Sequence, residues 1–269
     1  MSIIDKLNTI FSGEVDNPER GYLGMSMIGD SCPRKLQYSM YLVSPVARIS
    51  RRIERLFNDG HLFEEKLVEI LAKAGFEIYG RQISLKSFNN FWSGHIDGLM
   101  DYLGETYLVE MKTHNDKNFK LVVKQGVKKA KPAHYDQMQM YMGYGNWKQC
   151  IYFAYNKNDS DIHSELVEFN EAHFERLEKK SADIIIATDL FPRIGNNSPT
   201  WYECKFCNVS GVCFGKIEVD KNCRTCAHVE PGNGNTWDCN FHKVNELDYD
   251  RQLLGCEHHE LHARFHETS

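Results

Sequence analysis

Gly94-His95-Ile96-Asp97-Gly98, followed by Val109-Glu110-Met111-Lys112-Thr113, is the stretch on which the reading of this chain turns. Residues 91–102 and 106–113 form two strand-like runs around a turn at Leu103-Gly104-Glu105, which predicts a β-hairpin with Asp97 in its first strand. Residues two apart in a strand share a face, so Glu110 and Lys112 project together, flanked by apolar Leu108, Val109 and Met111. Two acids and a lysine at one edge of a largely buried hairpin are costly unless they pair or hold a cation. Phosphodiester hydrolysis uses such a set: two carboxylates hold Mg²⁺, and a lysine orients or deprotonates a water or steadies charge on phosphorus. An ordinary surface salt bridge between Glu110 and Lys112 is the alternative that this pair alone leaves open.

On either side, the chain alternates helix-like and strand-like segments. Leu56, Phe57, Gly60, Phe63, Leu67, Ile70 and Leu71 recur at three- and four-residue spacing, predicting a helix over 51–74 that stops at Gly75. A strand is expected over 76–85, a lysine-rich helical segment over 117–131, a helix over 133–144, strands over 149–155 and 162–167, and a helix over 174–186. This order implies an α/β core around a small mixed sheet. His61, Glu64 and Glu65 lie within one turn of the first helix, and Gln137 and Tyr141, four apart, share a face of the third. Lys117, Lys120, Lys124, Lys128, Lys129 and Lys131 directly follow the Glu110–Lys112 strand and read as a patch tracking a nucleic-acid backbone. His114 and His134 flank that segment and read as solvated surface, and His95, beside Asp97, is expected to have a structural role.

With 269 residues, 42% hydrophobic and 26% charged, the chain suits one large domain or one domain with an appendage, and not a disordered chain, a collagen or a coiled-coil rod. No apolar run reaches the roughly 18 residues a bilayer requires. The opening MSIIDKLNTIFSGEVDNPER lacks a basic segment followed by an apolar core, so a cytoplasmic, reducing compartment is expected. At a net charge of −5, any nucleic-acid site must be a local basic groove.

Gly60-x3-Glu64, Gly94-x2-Asp97, Glu110-x-Lys112 and Gln137-x3-Tyr141, in that order, resemble the RecB-like branch of the PD-(D/E)XK nuclease superfamily over about residues 30–215. The resemblance implies a restriction-endonuclease-like α/β core and a metal-dependent DNA nuclease, an exonuclease in recombination, repair or phage DNA processing. It makes Asp97 and Glu110 ligands of Mg²⁺ or Mn²⁺, helped by Glu64 or His61, with Lys112 the catalytic lysine and Gln137 and Tyr141 its support. His61 departs from the family's spacing and ranks behind Glu64. The partners implied are DNA and a helicase or recombinase, with no membrane and with oligomerisation open. The rival reading is a catalytically degenerate DNA-binding or scaffold protein, against which the intact Asp97, Glu110 and Lys112 argue.

Nine cysteines are present, seven of them between Cys204 and Cys256. In a reducing compartment such clustering points to metal rather than disulfides. Cys204, Cys207 and Cys213 leave one coordination position open, which Cys32 could fill. This resembles iron–sulfur members of the same nucleases, in which one early and three late cysteines hold a [4Fe-4S] cluster. Zn²⁺ on the same four, or Cys32 as a core thiol, remains open. Cys223, Cys226, Cys239 and Cys256 have the spacing of a structural Zn²⁺ site, and His242, His258 or His259 could replace one thiolate. Trp237 and Phe241 would supply the tail's small apolar core. Similar tails accompany some bacteriophage nucleases, which favours a phage or mobile-element origin. Cys150, beginning a strand, is expected to be buried. The organisation expected is a nuclease core over 1–195, a cysteine loop over 196–218 and a zinc-binding tail over 219–269.

Overall fold

The structure is a computed structural model that describes residues 2–18, 20–44 and 46–268. It is mixed α/β, with small sheets flanked by helices. Helix α1 (Ile3–Phe11) precedes strands β1 (Glu14–Pro18) and β2 (Leu23–Gly24), helix α2 (Pro33–Met40), strand β3 (Val46–Ser50) and the long helix α3 (Arg51–Lys73). Strands β4 (Ser84–Ser87), β5 (Trp92–His95), β6 (Gly98–Tyr102) and β7 (Glu105–His114) follow. Helices α4 (Asp116–Gln125), α5 (Val127–Ala130) and α6 (Pro132–Gly145) then lead to β8 (Gln149–Asn156), β9 (Ile162–Glu168) and α7 (Glu171–Ile186). Among the described residues, no helix is long and apolar enough to cross a membrane.

The central sheet runs β6-β7-β8-β9. β7 lies antiparallel to β6 and parallel to β8. A parallel pair needs a long crossover, and α4, α5 and α6 supply it. α3 packs on one sheet face over Val109, Met111 and Phe153, with Leu67 fully buried among them. α6 covers the other face, over Leu108, Tyr152 and Ala154. Because α6 is wedged between that sheet and α7, it is apolar on more than one side: Met138, Met140, Tyr141 and Met142 are all buried.

The first half of the expected hairpin is not one strand. β5 leaves β7 and enters a second sheet, β2-β5-β4, because buried Ile96 exchanges backbone hydrogen bonds with Gln82 and Ile83 instead (3.0 and 3.1 Å). Asp97 therefore occupies the break between β5 and β6, not the first strand of a hairpin. The strand expected over 76–85 is also interrupted. Gly80 and Gln82 adopt left-handed backbone (φ +59° and +62°), which no extended strand accommodates; ahead of β4, Tyr79 makes an isolated bridge to Leu99. The lysine-rich segment divides into α4 and α5 at Gly126, whose φ is +75°.

Beyond α7 come two four-residue helices, α8 (Tyr202–Lys205) and α9 (Ser210–Cys213), a hairpin of β10 (Val229–Pro231) and β11 (Trp237–Cys239), and α10 (Tyr249–Gln252). Trp237 is fully buried, but against Tyr41 and Phe91 of the front half (ring centroids 5.6 and 6.0 Å). Phe241 is half exposed and stacks on His258. The two therefore do not form a private core, and the tail's apolar residues join the main one.

Candidate active site

The fork between β5 and β6 builds the site. Beyond the Gly98–Val109 pair the outer strand has peeled away. The Met111 N–H, which would have bonded to it, donates instead to Asp97 Oδ2 (2.7 Å). Glu110 and Lys112 follow on the α6 face of β7, and the Lys112 ammonium makes an ion pair with Glu110 Oε1 while lying 3.9 Å from Asp97 Oδ2. The three residues read from the sequence as a set are thus drawn together. Glu110 is fully buried, and its Oε2 has no hydrogen-bond partner among the described residues. The Lys112 side chain is 27% exposed, so the constellation opens to solvent through the lysine.

Burial and the Asp97 carboxylate push Glu110 upward, against the pull of the Lys112 ammonium. Burial disfavours charge on Lys112, but Glu110 and Asp97 more than offset it and keep the amine protonated. Glu64, on α3, faces the site: burial and then Asp97 raise its carboxyl. It is also held by Arg81 (3.1 Å), which binds Glu65 as well. Arg81, in the irregular connection before β4, has no counterpart in the sequence reading. His61 is exposed, and its charge is felt at Glu65; no contact brings it to Asp97. Among the described residues, no three His, Cys, Asp or Glu side chains are arranged to hold a metal ion. At this site the lysine ammonium lies between the two carboxylates.

α6 closes the other side. Gln137 donates to the Tyr141 hydroxyl (3.3 Å), and both are buried. Burial and then Glu110 raise the Tyr141 phenol. Gly94 explains its place in the motif: a Cβ there would stand 2.6 Å from the Tyr141 ring and 3.1 Å from Met25, so only glycine lets β5 pass beneath the tyrosine.

His114 and His134 are not solvated surface. The alternation that aligns Glu110 with Lys112 continues to His114, whose Nε2 lies 2.7 Å from the Tyr152 hydroxyl; His134 Nδ1 meets the same hydroxyl at 2.9 Å. A phenol has one proton to give, so one imidazole accepts from Tyr152 and the other donates to it. Both rings are then neutral. Burial, then nearby lysines, lowers His114 to about 4; burial, then Lys112, lowers His134 to about 3. The sequence signal for this cluster was the two-residue period running on through position 114.

Lys117, Lys120, Lys124, Lys128 and Lys129 are exposed and Lys131 is half-buried. Lys120 pairs with Asp116 (2.8 Å), and Lys128 lies over the Tyr135 ring. Cys32, at the N-terminal cap of α2, and Cys204, Cys207 and Cys213 line one small cavity together with Lys35 and Arg193. Cys223, Cys226, Cys239 and Cys256 line another. All nine cysteines are free, and Cys150 is fully buried as expected.

No protein-family model matches the chain, and no curated protein matches its sequence. Among solved structures, it is similar to an alkaline exonuclease (LHK-Exo) from Laribacter hongkongensis. The TM-score is 0.47 at 17% identity, over 62% of this chain and 87% of that one. It is similar to SSO0001 at a TM-score of 0.43 and 19% identity, over 80% and 95% of the two chains. It is also similar to a phage-related exonuclease from Haemophilus somnus 129PT, at 0.37 and 14%, over 46% and 66%.

The neutral imidazoles couple stability to pH. The unfolded chain takes up both protons near pH 6.5, whereas the folded chain refuses them down to about pH 4 and about pH 3. Acid therefore favours unfolding: this contribution is whole above pH 6.5 and lost as pH falls below it. Urea denaturation at pH 7.5 and pH 5 should show His134→Gln losing less stability over that interval than the wild type, by up to roughly 2 kcal/mol. Equal losses would show that His134 is protonated in the fold.

Proposed function

We propose that this chain is a metal-dependent DNA nuclease, an exonuclease of the PD-(D/E)XK type with a restriction-endonuclease-like core, serving recombination, repair or phage DNA processing. The observation that carries this reading is the convergence of Asp97, Glu110 and Lys112 at the strand fork, with the lysine reaching solvent.

Mg²⁺ or Mn²⁺ fits the donor set. Hard dications take carboxylate oxygens, and a buried carboxylate with an oxygen lacking a hydrogen-bond partner, beside a second carboxylate, is such a set. Asp97 and Glu110 would hold the ion, with Glu64 from α3 joining on release from Arg81; His61, exposed on α3, is the weakest claimant. When bound, the ion would polarise the scissile phosphate and acidify a water. Lys112, whose side chain opens to solvent, would orient an attacking water and meet charge growing on the phosphate oxygens. Gln137 and Tyr141 brace the lysine from α6. The exposed lysines of α4 and α5 would follow the phosphate backbone.

The four thiols of Cys32, Cys204, Cys207 and Cys213, lining one cavity, are a donor set that would suit a [4Fe-4S] cluster or, alternatively, Zn²⁺. Four thiolates leave negative charge, and Lys35 and Arg193 line the same space. Its role would be a clamp: tying residue 32 to residue 204 shortens the loops of the unfolded chain.

Linear DNA labelled at its 5′ or 3′ end, single- and double-stranded, incubated with Mg²⁺ or Mn²⁺, tests the activity. Asp97→Ala and Lys112→Ala should each lose at least about 100-fold in rate. Equal cleavage by wild type and variants, or none by any, would leave a DNA-binding scaffold as the reading. For the first cysteine set, protein purified without oxygen should be brown with broad visible absorption, and Cys207→Ser colourless; a colourless wild type containing zinc would transfer that site to zinc.

A further inference from the structure

We infer that Cys223, Cys226, Cys239 and Cys256 hold one structural zinc ion, and that the turn it fixes locks a buried arginine onto the C-terminal end of α2. This does not rest on the nuclease reading.

The tail needs something beyond its own packing. Its regular elements among the described residues are two three-residue strands, a four-residue helix and three 3₁₀ turns of three to six residues, below the length at which such elements persist unaided. Yet four cysteines from three segments line a single cavity of about 440 Å³, walled by Val229, Val244 and Leu247. Cys226 and Cys239 are buried, and none of the four is in a disulfide. The Cys223 thiol lies 3.0 Å from the Leu254 carbonyl, which brings the segment leading to Cys256 against the first knuckle. Among the described residues no three of these thiols are arranged to hold a metal ion; what the backbone does is bring all four to the wall of one cavity.

The histidines around the cavity are engaged elsewhere. His259 meets the Thr225 hydroxyl (3.2 Å), His228 pairs with Glu260 (3.5 Å), and His258 stacks on Phe241. His242 alone approaches a thiol, with Nε2 at 3.7 Å from Cys256 Sγ, and would stand beside the ligand set rather than in it. Four thiolates in a tetrahedral structural site select Zn²⁺.

Arg224 lies within the Cys223-Arg224-Thr225-Cys226 knuckle and is almost wholly buried. It donates to the carbonyls of Met40 and Gly21 (both 2.9 Å) and to Gln252 (2.8 Å), and stacks on Trp237. Met40 is the last residue of α2, whose unsatisfied carbonyls and dipole favour a cation. Neighbouring Asn222 donates to the Leu42 carbonyl (2.8 Å). A buried cation satisfied by carbonyls is costly to position. Fixing the knuckle in advance with an ion removes much of that cost, so zinc binding and the capping of α2 become one folding event.

Elemental analysis of the full-length protein tests the ligand set. Cys226→Ser should contain about one zinc atom per chain less than wild type, and His242→Gln should contain as much as wild type. Unchanged zinc in Cys226→Ser, or loss in His242→Gln, would overturn the assignment. Because a cysteine variant could misfold, wild-type protein is also alkylated with and without a zinc chelator and mapped by mass spectrometry. The four tail thiols should react only after chelation; equal labelling would contradict the site. Hydrogen exchange tests the coupling: chelation, or Arg224→Gln with zinc retained, should speed amide exchange over residues 33–43 at least about tenfold. Unchanged exchange in both would refute the link to α2.

Discussion

The structure depends on one ammonium group placed between two carboxylates where two strands part. Glu110 is carried into the interior by the alternation of β7, and its charge there would be prohibitive without the Lys112 amine two residues on. Asp97 reaches the same point only because β5 has left the ladder, and its carboxylate takes over the Met111 N–H that the departing strand abandons. The fork and the ion pair thus require one another. An unbroken hairpin would satisfy Met111 by backbone and leave Asp97 no reason to point at the lysine.

Around that point, the rest of the fold serves as enclosure. The parallel pairing of β7 with β8 demands a crossover, and the crossover delivers α6 onto the face that carries Glu110, Lys112 and His114. α6 brings Gln137 and Tyr141 together where Glu110 acts on the phenol, and His134 against Tyr152, and Gly94 makes room for the tyrosine. From the opposite side α3 presents Glu64, restrained by Arg81. Charge is therefore balanced group by group: two acids against Lys112, two against Arg81, and two imidazoles kept neutral by burial and nearby lysines while they share one phenol.

Much of this was legible in the chain itself. Periodicity located α3, α6, α7, β8 and β9, and the shared face of Glu110 and Lys112 follows from a period of two. The fork was not legible, because it is decided by competition between Ile96's two sets of backbone partners, and side-chain alternation is silent about which wins. His114 and His134 read as surface because their burial is imposed by α6 lying over the sheet. Arg81 sits in irregular backbone, where no period marks it. Arg224 reaches carbonyls about 180 residues earlier in the chain, a contact no local pattern announces. The four cysteines grouped by spacing, Cys223, Cys226, Cys239 and Cys256, line one cavity, whereas Cys32, which lines another with Cys204, Cys207 and Cys213, was placed with them by the resemblance and by no local pattern.

The central proposal is that Asp97 and Glu110, between which Lys112 lies, would hold a divalent cation. Mn²⁺ binding, followed by electron paramagnetic resonance on wild type, Asp97→Asn, Glu110→Gln and Lys112→Met, tests it most directly. The account predicts a saturable site in wild type, weakened at least about tenfold by either carboxamide substitution and undiminished or tighter in Lys112→Met. Manganese binding that is the same in Asp97→Asn and Glu110→Gln as in wild type, or abolished in Lys112→Met, would contradict it.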